Sequence, residues 1–188
     1  YNLVYGTYGI RANRTKYPNQ PLVIGETGNS GTIPNYAPER YRIGIWTGMM
    51  NSAGMLYWNM SSTKQTVGGG GVNRVYIGPE ERGFSTVLMN VMGDLDPAAS
   101  PMTVTASSGM RAYVTGSNSD VAGYLIHTTS HTTTLSGATL KLTVPASGML
   151  GSWIDPATGN VIQTFSPAAG SQTLSVPAFT ADIAFRIR

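Results

Sequence analysis

"PLVIGETGNSG", residues 21–31, decides how the first part of the chain is read. Its short apolar run, rich in β-branched residues and bounded by Pro21 and by Gly25 and Gly28, predicts a buried strand of a parallel sheet that ends on an acid. Working outward, "APERYRIGIWTGMMNSAG" (37–54) follows as a helix. Pro38 suits its first helical position, Ile43, Trp46, Met49 and Met50 supply its apolar side, and Gly54 is its stop. "GMLYWNM" (54–60) is a second apolar strand and "TVGGGG" (66–71) a loop. "PEERGFSTVLMNVMGDLDP" (79–97) is a second helix, with Glu80 and Glu81 in its first turn, a buried stripe of Val87, Leu88, Val91, Met92 and Leu95, and Asp96-Pro97 as its end. Two successive strand–helix units predict a parallel α/β fold.

Beyond residue 101 the period changes to two. "MTVTAS", "MRAYVTG", "VAGYLIHTT", "ATLKLTV", "MLGSWID", "NVIQTF", "QTLSV" and "DIAFRI" are separated by Ser, Gly, Asn and Pro turns, which predicts an antiparallel β-sandwich. "DPATGN" (155–160) reads as a hairpin turn. The expected division is therefore an α/β region over 1–97 and an all-β region over 98–188.

Only 11% of the 188 residues are charged, and the net charge of +3 comes from 12 basic and 9 acidic residues with no block of either sign. The densest basic group, Arg11, Arg14 and Lys16, reads as solvated surface, so no nucleic-acid partner is expected. With no cysteine, neither a disulfide framework nor a thiolate metal site is available. No apolar run is long enough to span a membrane, and no membrane partner is expected. The chain begins at Tyr1 within "YNLVYG", which reads as entry part-way through a strand-to-helix connection, in a mature, trimmed or partial chain.

Glu26 is the strongest chemical candidate. Counting by twos puts Leu22, Ile24 and Glu26 on one face, an inward row with the carboxylate at the C-terminal end of the strand, where α/β folds hold their ligands. The same acid reads as a cap for the following turn or as an ion-pair partner of Arg40 or Arg42. Trp58 occupies the matching place on the next strand, as a stacking platform for a sugar ring or as core. His127 and His131 flank "HTTSH" without a nearby third ligand, in a run that favours strand and loop, and no metal or cofactor is expected. "GETGNSGT" lacks the lysine of a phosphate loop. Tyr113, Tyr124, Trp153 and Phe165 read as inner-face core.

"PLVIGETG" followed by "GMLYWNM" resembles the seventh and eighth strands of the (β/α)8 TIM barrel of glycoside hydrolase family 5 and its clan relatives. The tail with "GSWIDPATGNVI" and "FTADIAFRIR" resembles the sandwich that follows the barrel in several of them. The resemblance implies the C-terminal portion of a retaining, cellulase-like bacterial enzyme, secreted or periplasmic, that cleaves β-linked poly- or oligosaccharides. Within it Glu26 would be the nucleophile and Trp58 the residue beneath the sugar. Tyr1 and Asn29 are the further expected substrate contacts.

A retaining glycosidase needs a second carboxyl group. In the family it follows an asparagine on the fourth strand, and no Asn-Glu pair occurs in this sequence; Glu39 falls in the first turn of a helix, where it serves the helix dipole. The resemblance therefore places the acid/base in a missing N-terminal barrel half, held as part of one longer chain or as an associated fragment, since exposed strand edges invite association. The alternative reading is a non-catalytic carbohydrate-binding or structural module.

Overall fold

Residues 10–29, 38–59 and 79–188 are described by a computed structural model, with backbone alone at 11, 14, 25–29 and 57–59; Tyr1 and the glycine run 68–71 lie outside the described residues. The chain divides into two units, Tyr1–Ser85 and Thr86–Arg188.

In the first unit, α1 (Ile10–Lys16) leads to β1 (Leu22–Asn29), which runs parallel to β2 (Ala53–Asn59) across the helix α2 (Glu39–Met50). A parallel pair needs such a crossover, and the apolar side of α2 supplies the cover. Tyr41, Ile43, Trp46 and Met50 are buried along it, whereas Met49, expected on the same side, is exposed. Pro38 is the N-cap rather than the first helical residue, its carbonyl accepting from the Tyr41 and Arg42 amides. The helix also stops earlier than expected. Asn51 donates its side-chain amide to the Thr47 carbonyl at 2.8 Å, and Ser52 takes a left-handed φ of 52°. Those two residues end α2 without a glycine, which frees Gly54 to stand within β2 opposite Val23.

The helix α3 (Pro79–Met92) contributes residues to both units. Its buried stripe is Glu81, Phe84, Leu88 and Met92, a spacing of three and four that fits one helical face. Val87 and Val91 lie at the margin of that stripe. Leu95 is beyond the helix, because the chain turns at Gly93, whose amide bonds to the Met89 carbonyl at 2.7 Å.

In the second unit, the six-stranded sheet has the order β3-β5-β6-β11-β8-β9 and the three-stranded sheet the order β10-β7-β4, all antiparallel. The strands are β3 (Ser100–Pro101), β4 (Thr105–Ala106), β5 (Met110–Gly116), β6 (Val121–His127), β7 (Thr139–Val144), β8 (Gly151–Ile154), β9 (Val161–Phe165), β10 (Gly170–Ser175) and β11 (Asp182–Ile187). Each of the eight alternating runs overlaps one of them. One apolar core joins Leu140, Leu142, Val144 and Leu174 of the small sheet to Val121, Leu125, Trp153, Ile183, Phe185 and Ile187 of the large one. Burying each such side chain contributes about 1.5–3 kcal/mol relative to leaving it exposed. The indole of Trp153 meets Phe185 edge-on at 5.1 Å and Phe165 at 5.6 Å. Gly123 stands opposite Phe185, and a Cβ there would overlap the ring. The β8–β9 hairpin is held by Asp155, which accepts from the Ala157 amide at 2.8 Å and the Thr158 hydroxyl at 2.9 Å. Gly159 supplies the positive φ of 79° that this turn requires.

Of the four aromatics expected on the inner face, Trp153 and Phe165 are there and Tyr113 and Tyr124 are not. Met110, Ala112 and Val114 take the core face of β5, so alternation gives Tyr113, and Tyr124 opposite it, the reverse face of the large sheet. That face is buried too. The Tyr124 hydroxyl donates to Asp182 at 2.6 Å. Beside it, the five N–H donors of Arg186 are all engaged. Nε and Nη2 grip the two oxygens of Asp120, Nη2 also reaches the Asp94 carbonyl, and Nη1 binds the Val91 carbonyl and the Asp94 carboxylate. The cation thus fastens the C-terminal end of α3, where a helix dipole favours positive charge. Hydrogen bonding to Asp120 is the main cause that raises the Arg186 pKa.

Candidate active site

The candidate chemistry lies at the C-terminal ends of two adjacent parallel strands, so the faces of the β1–β2 pair decide what those ends can do. Leu22 pairs with Ala53, and Ile24 with Met55. Met55 sits where a Cβ on Gly48 of α2 would be, so this face of the pair packs on the helix. Val23 and Leu56 belong to the other face and are 66% and 64% exposed. The row of Leu22 and Ile24 is therefore turned toward α2, a correction to the inward row expected from the sequence.

The count by twos also fails to carry forward to Glu26. After Ile24–Met55 the next pair is Thr27–Tyr57, so Gly25 and Glu26 together stand opposite the single residue Leu56. One extra residue in one strand resets the alternation. Gly28 then pairs with Trp58, and Asn29 with Asn59. In the backbone ladder, Trp58 keeps the count by twos with Gly54 and Leu56, and Asn29, through its partner Asn59, the count with Ala53 and Met55. Glu26 and Trp58 are thus brought to the same end of one parallel pair, two ladder positions apart. Tyr1 lies outside the described residues.

The Arg42 guanidinium, one partner the sequence offers for Glu26, lies over the Phe84 ring at 5.0 Å. Tyr41 and Ser85 share a hydrogen bond of 2.9 Å between their hydroxyls. Glu81, in the first turn of α3 as expected, is buried. Its place three residues before Phe84 on the helix was the signal for that burial.

The two histidines separate in their roles. His127 ends β6, buried, and its Nδ1 lies 3.0 Å from the Thr180 carbonyl. A carbonyl only accepts, so Nδ1 carries the proton and Nε2 accepts from the Thr129 hydroxyl at 3.1 Å. Both ring nitrogens are therefore committed to the protein. His131 lies in the segment after the strand. Among the described residues no three His, Cys, Asp or Glu side chains gather as a metal site, and no helix is long and apolar enough to cross a membrane.

No protein-family model and no curated protein sequence matches the chain. Solved structures do. A structure described as a glycoside hydrolase superposes with a TM-score of 0.64 at 13% identity over 95% of this chain. A family 5 glycoside hydrolase from Bacteroides vulgatus superposes with 0.61 at 15% over 95%, and a family 30 endoxylanase from Clostridium papyrosolvens with 0.53 at 12% over 94%. The chain therefore shares its fold with part of each of these structures. This chain spans 44%, 43% and 44% of those three structures, over their C-terminal portion. Within that shared fold, β1 and β2 are the parallel strands and the antiparallel sheets follow them.

Proposed function

We propose that these residues are the C-terminal portion of a retaining glycoside hydrolase acting on β-linked poly- or oligosaccharides. In this reading residues 1–97 supply strands seven and eight of a (β/α)8 barrel with their helices, and 98–188 form an accessory β-sandwich. The observation that carries it is the occurrence of Glu26 and Trp58 two ladder positions apart, toward the C-terminal end of one parallel strand pair, in a fold shared with glycoside hydrolases. C-terminal strand ends are where barrel enzymes collect their catalytic groups.

The chemistry follows double displacement. The Glu26 carboxylate attacks the anomeric carbon as the bond to the leaving oxygen breaks, and an acid on the remainder of the barrel delivers a proton to that oxygen. Water then attacks the same carbon, gives its proton back to that second carboxylate and releases Glu26. The two carboxyl groups must stand roughly 5–5.5 Å apart for this geometry. Trp58 offers the flat apolar surface on which a sugar ring stacks. Tyr1 and Asn29 are proposed as further contacts. A polysaccharide substrate implies work outside the cytoplasm, in the medium or the periplasm.

The test is the sequence upstream of Tyr1 and one substitution. A preceding segment with a strand that ends in Asn-Glu is expected, and Glu26→Gln in that longer protein should abolish hydrolysis of β-glucan, xylan or mannan without altering its melting. The absence of such a segment from the gene and its neighbours, or full activity in the variant, would overturn the assignment in favour of a non-catalytic carbohydrate-binding or structural module.

A further inference from the structure

The sandwich has two kinds of sheet edge. β3 is one edge of the large sheet and β4 one edge of the small sheet; each is two residues long, and β3 ends on Pro101, which has no amide to donate. Very short strands and proline protect an edge against pairing with another chain. The opposite edges have neither device. β9 and β10 are five and six residues long and contain no proline. Both fall within residues 156–181, a run without any Asp, Glu, Lys, Arg or His, so charge does not guard them either. Of the two, β10 exposes Ser171, Thr173 and Ser175, whereas β9 exposes the apolar side chains of Val161 and Ile162, at 58% and 48%. The one protection of β9 is an extra residue that leaves Ile162 out of the ladder with β8 and blunts the start of the strand; Gln163, Thr164 and Phe165 keep a regular register.

We propose that the edge of β9 docks β9 of a second copy of this protein, in a weak two-fold dimer. A two-fold axis normal to the sheet sets a strand antiparallel to itself, which continues the order of a sheet whose pairs are all antiparallel. With no charge in β9, no register brings like charges together, and Val161, Ile162 and Thr164 are β-branched residues of the kind that stabilise cross-strand pairs. A strand that carries charges would find no counter-charge on this edge. Five residues make a contact below the size of a stable complex, so the dimer forms and dissociates readily.

The experiment is sedimentation of the complete protein at concentrations up to the millimolar range, for wild type, Val161→Lys, Ile162→Lys and, as a control, Met89→Lys, which places the same charge on an exposed apolar position of α3. Expected is a monomer–dimer equilibrium whose dissociation constant rises more than about tenfold in each β9 variant, because the axis repeats every substitution on both sides, and keeps its wild-type value in Met89→Lys. Since the 188 residues contain no cysteine, Ile162→Cys, Gln163→Cys and Thr164→Cys give a second reading. A residue near the axis meets its own copy, so at least one of these should form a disulfide-linked dimer under mild oxidation while Met89→Cys does not. Thermal melting checks that each variant is folded. A wild type that stays monomeric throughout, a dimer indifferent to both lysine substitutions in β9, or the failure of all the β9 cysteine variants to link overturns the proposal.

Discussion

Arg186 and Asp120 form a buried two-pronged pair, Nε to Oδ1 at 2.5 Å with a second bond from Nη2 to Oδ2, across 66 residues of sequence. A pair of this kind is costly to break from one side, because the survivor keeps its charge in a place water cannot reach. Arg186→Met should therefore destabilise the protein by about 3–5 kcal/mol, and Asp120→Asn by a similar amount. Arg186→Lys should recover little of that loss, since an ammonium cannot supply the fork that spans Asp120 and the Val91 carbonyl. Chemical denaturation of the variants checks each.

Acid should loosen the same end of α3. The Asp94 carboxyl is held below the ordinary carboxylate value first by its hydrogen bond from Arg188, at 2.7 Å, and then by the charge of Arg186. Asp96 is lowered by the Ser117 hydroxyl and the Ala98 amide. A depressed folded-state pKa gives stability that is present above the unfolded value, about 4, and is lost as pH falls through the lower folded value. Melting temperature should accordingly drop below about pH 4, and Asp94→Asn should flatten that part of the curve. An unaltered acid limb in the variant would remove Asp94 from the explanation.

Overpacking at Gly123 offers a test of the sheet core. Gly123→Ala would press a methyl into the Phe185 ring and should cost about 1–3 kcal/mol. Phe185→Leu in the same chain should restore part of the loss, because the two residues face each other in the ladder. A double-mutant cycle by thermal melting measures that coupling.

Ser52 carries the opposite expectation. Its φ of 52° lies in the left-handed region, which costs a residue with a side chain roughly 1–2 kcal/mol. Ser52→Gly should raise stability by about 1 kcal/mol. The gain is read from denaturant midpoints with the slope unchanged.

The legibility of the sequence varied with the range of the interaction that shaped each element. Strands such as "VAGYLIH" and "DIAFRI" declared themselves through local alternation, and "LVIGE" through its apolar run. Alternation alone did not say which face was core when both were buried, and Tyr113 and Tyr124 were misplaced for that reason. The end of α2 was missed because Asn51 and Ser52 did what a glycine ordinarily does. At the candidate site, the presence of Glu26 and Trp58 on neighbouring parallel strands was readable. The register at Glu26 was not, since a count by twos has no means of registering the added residue between Ile24 and Thr27. The clasp of Arg186 on Asp120 joins residues too distant for any local spacing to announce it.

The place of β11 bears on how the protein is made. Asp182–Ile187 are the last strand of the large sheet to leave the ribosome, yet they occupy its interior, between β6 and β8. Until they arrive, β5–β6 and β8–β9 are two hairpins with open apolar edges toward the gap, and closing it requires contacts between remote parts of the chain, which is intrinsically slow. The large sheet therefore stands in two halves from the completion of β9 until β11 emerges. A chaperone that shields strand edges, or export before folding, would suit such a sequence better than rapid folding as it emerges.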